Sequence, residues 1–171
     1  MLLGFFPKFI VLLSIVSFFG SRPVSADGLI QVNSPASNQV LGSNTDNVFQ
    51  YTVVGAQTVG ISNPYYPNSI NVDFQWQQRN NDSNTLRINV ISGLAADSAP
   101  AGISNKQYTS TWKLPGCHFF SRYNTAQYGF SLVVSPNYAA LSPNQTAPGP
   151  EEPSQTIPLQ IQVNNGTFPK C

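Results

Sequence analysis

Charged residues and histidine are scarce in this chain, and their scarcity excludes several classes of function. Asp, Glu, Lys and Arg together make up 9% of the sequence, and the eight Lys and Arg residues form no cluster. Nucleic acids and anionic membranes recruit proteins through clustered positive charge, so neither is expected as a partner. His118 is the single histidine and there are only two cysteines, too few donors for the usual zinc or copper sites. We therefore expect no metal and no cofactor.

The first 26 residues have the pattern of a secretory signal peptide. Lys8 supplies a positive charge, the segment 9–19 is an apolar run that contains two serines and no charge, and the small residues of the segment 24–26 form a cleavage site. Because the apolar run is shorter than the about 20 residues of a spanning helix, we expect cleavage after Ala26 and no membrane anchor afterwards. The remaining segment, 27–171, is predicted to be one secreted, extracellular domain.

Cys117 lies in the segment KLPGCHFFSRY, directly before His118. Two cysteines pair by default in an oxidising compartment, so we predict a disulfide between Cys117 and Cys171, which the chain-entropy model values at up to about 4 kcal/mol. An intermolecular disulfide is the alternative, since a cysteine at the last position is accessible. A catalytic pair of Cys117 and His118 is disfavoured, because adjacent side chains of an extended chain project to opposite sides.

Three Asn-x-Ser/Thr sequons lie beside turn-forming residues, at Asn81, Asn144 and Asn165. One sequon arises readily by chance, whereas three in predicted turns of a secreted chain favour a eukaryotic glycoprotein. We therefore predict N-glycosylation at these positions.

Alternation of apolar and polar residues with period two predicts an all-β fold. In the segment INVDFQWQ, for example, Ile70, Val72, Phe74 and Trp76 point to one face of a strand. Seven such segments, separated by Gly, Pro, Asn and Ser, begin near residues 29, 48, 70, 86, 108, 128 and 157. Because each sheet buries only one face, they predict a seven-stranded antiparallel β-sandwich, immunoglobulin-like or fibronectin-III-like, with core tryptophans.

Prolines refine this expectation for the last part of the chain. Pro158 would cost a hydrogen bond in a central strand, so we expect the last strand to lie at an edge or to begin there. Four prolines between the sixth and seventh strands predict an extended, loosely packed loop at about 142–156.

The segment NPYYPN, residues 63–68, is the main candidate for ligand contact. A proline on each side stiffens the loop, and rigid aromatic side chains such as Tyr65 and Tyr66 lose little entropy when they stack on a sugar ring or a protein partner. The alternative is that one of these tyrosines turns inward and covers the end of the sandwich.

The acidic residues do not form a recognisable catalytic pair. A glycosidase needs two carboxylates across a cleft, yet Asp73 lies on a strand face, Glu151 and Glu152 are neighbours in the proline-rich loop, and the others are scattered through turns. We therefore expect a protein that is not an enzyme, and a hydrolase built from distant carboxylates is the least favoured alternative.

The order of several short motifs resembles the immunoglobulin-like N-terminal domain of fungal cell-wall synthesis proteins of the killer-toxin-resistance type. These motifs are LIQVNSP at the start of the domain, FQYTV in the second strand, YTSTWKLP and YGFSLVVSP. The same module occurs in Ser/Thr-rich, GPI-anchored fungal surface proteins. The resemblance implies a non-catalytic, wall-associated domain that contributes to β-glucan organisation and supplies no catalytic residues. This chain carries neither a Ser/Thr-rich stalk nor a hydrophobic C-terminal tail, which puts a lipid-anchored role in doubt.

Two functions of different classes follow from these features. The first is a secreted β-sandwich that binds or organises cell-wall polysaccharide. The second is a secreted module that binds an extracellular protein, as an effector or a receptor ligand. Aromatic loops serve sugars and proteins alike, so the sequence does not separate the two, and it carries no information on oligomeric state.

Overall fold

The computed structural model describes residues 28–98 and 102–164, except for the side chains of residues 82 and 83. The predicted signal peptide, Asn165 and Cys171 lie outside the described residues. Within the described segments no helix is long and apolar enough to cross a membrane. The strands are β1 Ile30–Ser34, β2 Gln39–Gly42, β3 Asp46–Val53, β4 Ser69–Gln78, β5 Asn81–Ala95, β6 Lys106–Lys113, β7 Tyr128–Asn137 and β8 Gln155–Gln162. A 3-10 helix covers Ala56–Val59 and a short α-helix, α1, covers Cys117–Arg122.

The strands form two sheets, which confirms the all-β prediction. One sheet has three strands in the order β1-β3-β6, and the other has five in the order β2-β8-β7-β4-β5. All seven predicted segments are strands. The count of seven is nevertheless one too low, because β2 forms an eighth strand and pairs in parallel with β8. The expectation of a wholly antiparallel arrangement is therefore wrong at this pair.

The prediction that the last strand lies at an edge is also wrong, for the same reason. Strand β8 lies between β7 and β2. Pro158 occupies the position just before the parallel pairing begins, since Gln39 is opposite Leu159. The Pro158 carbonyl oxygen accepts a hydrogen bond of 2.7 Å from the amide of Asn38. The proline therefore lies at the boundary of the β2 ladder, where its carbonyl is still used.

Residues of both sheets build one hydrophobic core. Phe74 of β4 is fully buried and stacks on Phe130 of β7, with ring centroids 5.7 Å apart. Across the core, the ring centroid of Phe74 lies 6.0 Å from that of Trp112 in β6. Trp76 and Trp112 are 6% and 4% exposed, which confirms both as core residues. The alternation in β4 thus places its apolar face against the other sheet, as the period-two pattern requires.

The segment around Cys117 is a helix, whereas an extended conformation was expected. Helix α1 is six residues long and directs Phe120 into the core. The partly buried Phe119 packs edge-on against Trp76, with ring centroids 4.9 Å apart. The helix therefore covers an open side of the aromatic core with its own aromatic side chains.

The proline-rich segment before β8 forms no strand or helix, and its last residues are anchored. The Glu152 carboxylate accepts a hydrogen bond of 2.6 Å from the amide of Leu29, just before β1. The Glu152 amide donates to the Tyr138 hydroxyl over 2.7 Å. One acidic residue thus ties the end of this loop to the beginning of the domain, while residues 141–146 remain exposed.

Candidate ligand-binding end of the two sheets

Cys117 and His118 do not form a catalytic pair in helix α1. Cys117 is buried and disulfide-bonded, so its sulfur is not available as a thiolate nucleophile. His118 is exposed on the same short helix. The predicted partner, Cys171, lies outside the described residues, and the pairing of these two positions stays a prediction.

Several loops meet at one end of the two sheets, and the segment NPYYPN is among them. The Asn68 amide donates to the Asn137 carbonyl oxygen over 2.8 Å, which joins this segment to the end of β7. On the other side, the Gly55 amide donates to the Asn105 side-chain oxygen over 2.9 Å. Gly55 must be a glycine, because a Cβ here would lie 2.6 Å from the Gly102 carbonyl oxygen.

Tyr66 is half-buried, and its hydroxyl is committed to the backbone. It donates to the Val54 carbonyl oxygen over 2.9 Å and accepts from the Ala56 amide over 2.8 Å. Its ring packs against the hydrophobic core. Tyr66 therefore closes the end of the sheets and at the same time forms one wall of the cleft described below.

Tyr65 is also half-buried and packs against another tyrosine. Its ring centroid lies 4.6 Å from that of Tyr138. Its hydroxyl oxygen is buried and has no hydrogen-bond partner among the described residues. The two tyrosines that the sequence singled out thus point to different surroundings, and only Tyr66 lines the cleft.

An open cleft of about 450 Å³ lies beside Tyr66. Tyr66, Pro67 and Asn68 line one side of it, and Ala96, Asp97 and Ser98, which follow β5, line the other. Asn68 and Asp97 are exposed, whereas Pro67 and Ala96 are buried. The cleft therefore combines one aromatic wall with an amide, a carboxylate and a hydroxyl, a set suited to a ligand rich in hydroxyl groups.

Two stacked tyrosines hold the wall that contains Asp97. The rings of Tyr51 and Tyr108 are nearly parallel, with centroids 5.3 Å apart. The Tyr51 hydroxyl donates to the Ala95 carbonyl oxygen over 2.6 Å, and the Tyr108 hydroxyl donates to the Asp97 carbonyl oxygen over 3.0 Å. Because both bonds end on backbone atoms, they fix the course of the chain on both sides of Ala96.

The ionisable side chains near this wall shift one another's pKa values. Burial raises the pKa of the Tyr51 hydroxyl to about 12, with smaller contributions in the same direction from Tyr108 and from the negative charge of Asp97. The Lys106 ammonium lies 4.9 Å from the centroid of the Tyr108 ring. A hydrogen bond with Tyr108 raises the pKa of Lys106, and the charge of Asp97 adds to this effect.

The cleft lining holds one carboxylate. Asp97 is the single acidic residue among the residues that line it, whereas acid–base hydrolysis of a glycoside requires two. In the described part of the chain, no group of three or more His, Cys, Asp or Glu side chains could hold a metal ion. The geometry supports binding through hydrogen bonds and ring contact.

The sequence did not single out Asp97 and Ser98, which belong to the segment AADSAP. Neither alternation nor a motif marks this segment. The available signal was indirect, because the alternation in β6 places Tyr108 on the same face of the strand as the buried Trp112. A tyrosine at this position has a hydroxyl that requires a partner when partly buried.

Two of the predicted glycosylation sites lie among the described residues. Asn81 is exposed at the first position of β5, directly after a turn. Asn144 is exposed in a turn that is closed by a hydrogen bond of 2.9 Å from the Gln145 amide to the Ser142 carbonyl oxygen. Modification of these residues and of Asn165 stays a prediction.

Comparisons with known proteins give little further information. Neither a family model nor a curated protein sequence matches this chain. Among solved structures, it is similar to the alkylpurine DNA glycosylase AlkC of Pseudomonas fluorescens, bound to DNA that contains an abasic site analog. The sequence identity is 10%, the match covers 78% of this chain and 31% of that chain, and the TM-score is 0.29. A TM-score this low carries no argument about the fold or the function of the chain.

Proposed function

We propose that this chain is a secreted, non-catalytic module that binds polysaccharide of the fungal cell wall and contributes to the organisation of β-glucan. The observation that supports this proposal best is the cleft beside Tyr66, in which an aromatic wall faces the polar residues Asp97 and Ser98. Sugar rings are bound in this way, with an apolar face against an aromatic ring and the hydroxyl groups against amides and carboxylates.

The size and the rigidity of the cleft agree with an oligosaccharide ligand. Its volume of about 450 Å³ lies within the usual range of small-molecule sites. The hydroxyls of Tyr51 and Tyr108 hold one wall, and the hydroxyl of Tyr66 holds the other. Because these walls are fixed before a ligand arrives, little conformational entropy is lost on binding.

The immunoglobulin-like character of the domain belongs to the same proposal. Two sheets around a core with a buried tryptophan, Trp76, support it, as do the motifs that resemble those of fungal wall-synthesis domains. The parallel strand β2 is an addition to that pattern. The proposed module has no catalytic residues, no metal and no cofactor.

A pull-down on insoluble polysaccharide tests the proposal. The secreted protein is incubated with insoluble β-1,3-glucan, chitin and whole fungal wall, and the bound fraction is measured. We expect binding that Asn68→Ala and Asp97→Asn each weaken. The first variant removes a hydrogen-bonding amide from the cleft, and the second replaces a charged acceptor, which forms the stronger hydrogen bonds, with a neutral amide. Asp46→Asn is the matched control, since Asp46 is an exposed carboxylate at the far end of β3. Absence of binding of the unaltered protein to all three materials would overturn the proposal.

The same incubations also separate binding from hydrolysis. We expect no soluble sugar ends to appear over time in any of the three suspensions. Steady release that Asp97→Asn abolishes would show turnover and contradict the non-catalytic part of the proposal.

A second candidate function is recognition of an extracellular protein, and a specific observation favours it. Val59 and Ile103 are 46% and 61% exposed. They belong to the segments whose residues Ala56 and Gly102 approach each other beside Tyr66. Exposed apolar side chains next to a cleft are typical of a protein contact. Ile103→Asp should leave polysaccharide binding unchanged if the first function holds, and should abolish the capture of a protein partner if the second does.

A further inference from the structure

Strand β5 forms one edge of the five-stranded sheet. It is 15 residues long and pairs with β4 on one side, while no strand among the described residues lies on its other side. The outer row of backbone N–H and C=O groups along such a strand can pair with another strand. Most natural edge strands are short or covered, so an open strand of this length is a candidate surface for association.

Two apolar side chains in the middle of β5 are uncovered. Leu86 is opposite Trp76 and Ile88 is opposite Phe74, so all four side chains point to the same face of the sheet. Trp76 and Phe74 are buried, yet Leu86 and Ile88 are 43% and 41% exposed. The core therefore covers this face along β4 and leaves it open along the middle of β5.

This part of β5 is regular and well held. Its pairing with β4 runs without interruption from Thr85 to Asn89, with register shifts on either side. Asn89 donates to the Asp73 carboxylate over 2.9 Å and accepts from the Ser92 hydroxyl. The exposed edge is thus a preformed strand that requires no rearrangement before it pairs.

We propose that a second copy of this chain pairs with β5 in antiparallel orientation, with Ile88 on the two-fold axis. Such an axis, perpendicular to the sheet, places one residue opposite itself. An axis at Arg87 would bring two guanidinium groups together, which is unfavourable. An axis at Ile88 places Ile88 opposite Ile88, with Leu86 of each copy two residues away, so apolar side chains meet on the uncovered face.

Charge complementarity on the other face favours the same register. With the axis at Ile88, the exposed Arg87 of one copy is opposite Asn89 of the second copy. Asn89 is in turn bonded to Asp73, so each guanidinium approaches the carboxylate side of the other copy. The symmetry creates this arrangement twice, and no like charges are placed opposite each other.

The dimer has a consequence for ligand binding that rests on the proposed function. Asp97 is nine residues from Ile88, and antiparallel pairing puts the two clefts at opposite ends of the paired strands. At about 3.3 Å per residue, the clefts would lie roughly 60 Å apart. Two sites on one particle would link separate polymer strands and raise the apparent affinity for an insoluble polymer.

Sedimentation equilibrium of the full secreted protein tests the dimer without any ligand. We expect a species with twice the mass of one chain. Ile88→Lys should weaken the association at least tenfold, because it places two ammonium groups on the axis. The matched control is Val48→Lys, since Val48 is 49% exposed on a strand of the other sheet. A single-chain mass for the unaltered protein, or a dimer that Ile88→Lys leaves intact, would overturn the proposal.

Two further variants test the register. Ile88→Cys should form a covalent dimer on mild oxidation, whereas Ile103→Cys, at an exposed position away from the axis, should not. The cross-linking of Ile88→Cys also tests the dimer if the Ile88→Lys variant fails to fold. Arg87→Glu should separate the copies, and Arg87→Glu combined with Asp73→Arg should restore the dimer.

If the protein is a dimer that binds no polysaccharide, the proposed function fails and the dimer stands. If the protein binds polysaccharide as a monomer, the proposed function stands and the dimer fails.

Discussion

The hydroxyl of Tyr66 donates a hydrogen bond of 2.9 Å to the carbonyl oxygen of Val54. The same hydroxyl accepts from the Ala56 amide, so one side chain satisfies two backbone groups on either side of Gly55. Val54 and Ala56 are both buried. This single oxygen atom therefore holds the backbone on both sides of Gly55.

Tyr66→Phe should lower the free energy of unfolding by about 1–3 kcal/mol, because it leaves a buried donor and a buried acceptor unpaired. Tyr65→Phe is the matched control, since the Tyr65 hydroxyl has no partner among the described residues and its removal should cost nothing. Denaturant unfolding of both variants checks the prediction. Equal stability of the two would show that the Tyr66 bonds are exchanged for water without cost.

Trp112→Ala should lower the free energy of unfolding by about 3–5 kcal/mol, as expected for removal of a large core side chain. Trp112 is 4% exposed and lies across the core from Phe74. The neighbouring Thr111 points to solvent, and Thr111→Ala should stay within about 0.5 kcal/mol of the unaltered protein. An unchanged melting temperature of Trp112→Ala would mean that the strand presents its other face to the core.

The strands were predictable because their signal is local. In β4, each apolar residue is followed by a polar one, and this alternation alone assigns Phe74 and Trp76 to the core. Strand β2 gives no such signal, because Leu41 is the only one of its four residues that is buried. Its pairing with β8 joins segments that are far apart in the sequence, and this information is absent from either segment alone.

The cleft and the helix were not predictable from local pattern. Helix α1 is six residues long, too short to display a helical period, and Phe119 and Phe120 alone are compatible with a strand. Asp97 reaches the cleft because Tyr51 and Tyr108 bind the chain around it, and both bonds depend on the tertiary fold. Tyr66 was recognised from its stiff loop, whereas its backbone partners depend on the tertiary fold.

Mass spectrometry of the non-reduced, secreted protein should give a peptide pair that joins Cys117 to Cys171. Reduction should then lower the free energy of unfolding by up to about 4 kcal/mol in the chain-entropy model. The control is the reduced and alkylated protein, in which both peptides should appear separately. Free thiols before reduction would contradict the prediction, and a disulfide between two chains would support the intermolecular alternative.

The raised pKa of Tyr51 predicts a loss of stability in alkaline solution. The ordinary pKa of tyrosine is 10.0, and burial raises the pKa of Tyr51 in the folded chain to about 12. The folded chain therefore holds this proton more tightly than the unfolded chain does. The resulting contribution to stability is fully present below pH 10 and is lost as the pH rises towards 12.

Denaturant unfolding at several pH values in this range checks the prediction, with tyrosinate absorbance recorded in parallel. Tyr51→Phe should show a smaller decrease in the free energy of unfolding between pH 10 and pH 12, because the titrating group is gone. Its stability at neutral pH should also be lower, since the Ala95 carbonyl oxygen loses its 2.6 Å bond. Tyr138→Phe is the comparison variant, because burial also raises the pKa of Tyr138. It should remove only the part of the alkaline loss that Tyr138 causes and leave the part that Tyr51 causes. If Tyr51→Phe and the unaltered protein lose stability in parallel, deprotonation of Tyr51 is not what weakens the wall that holds Asp97.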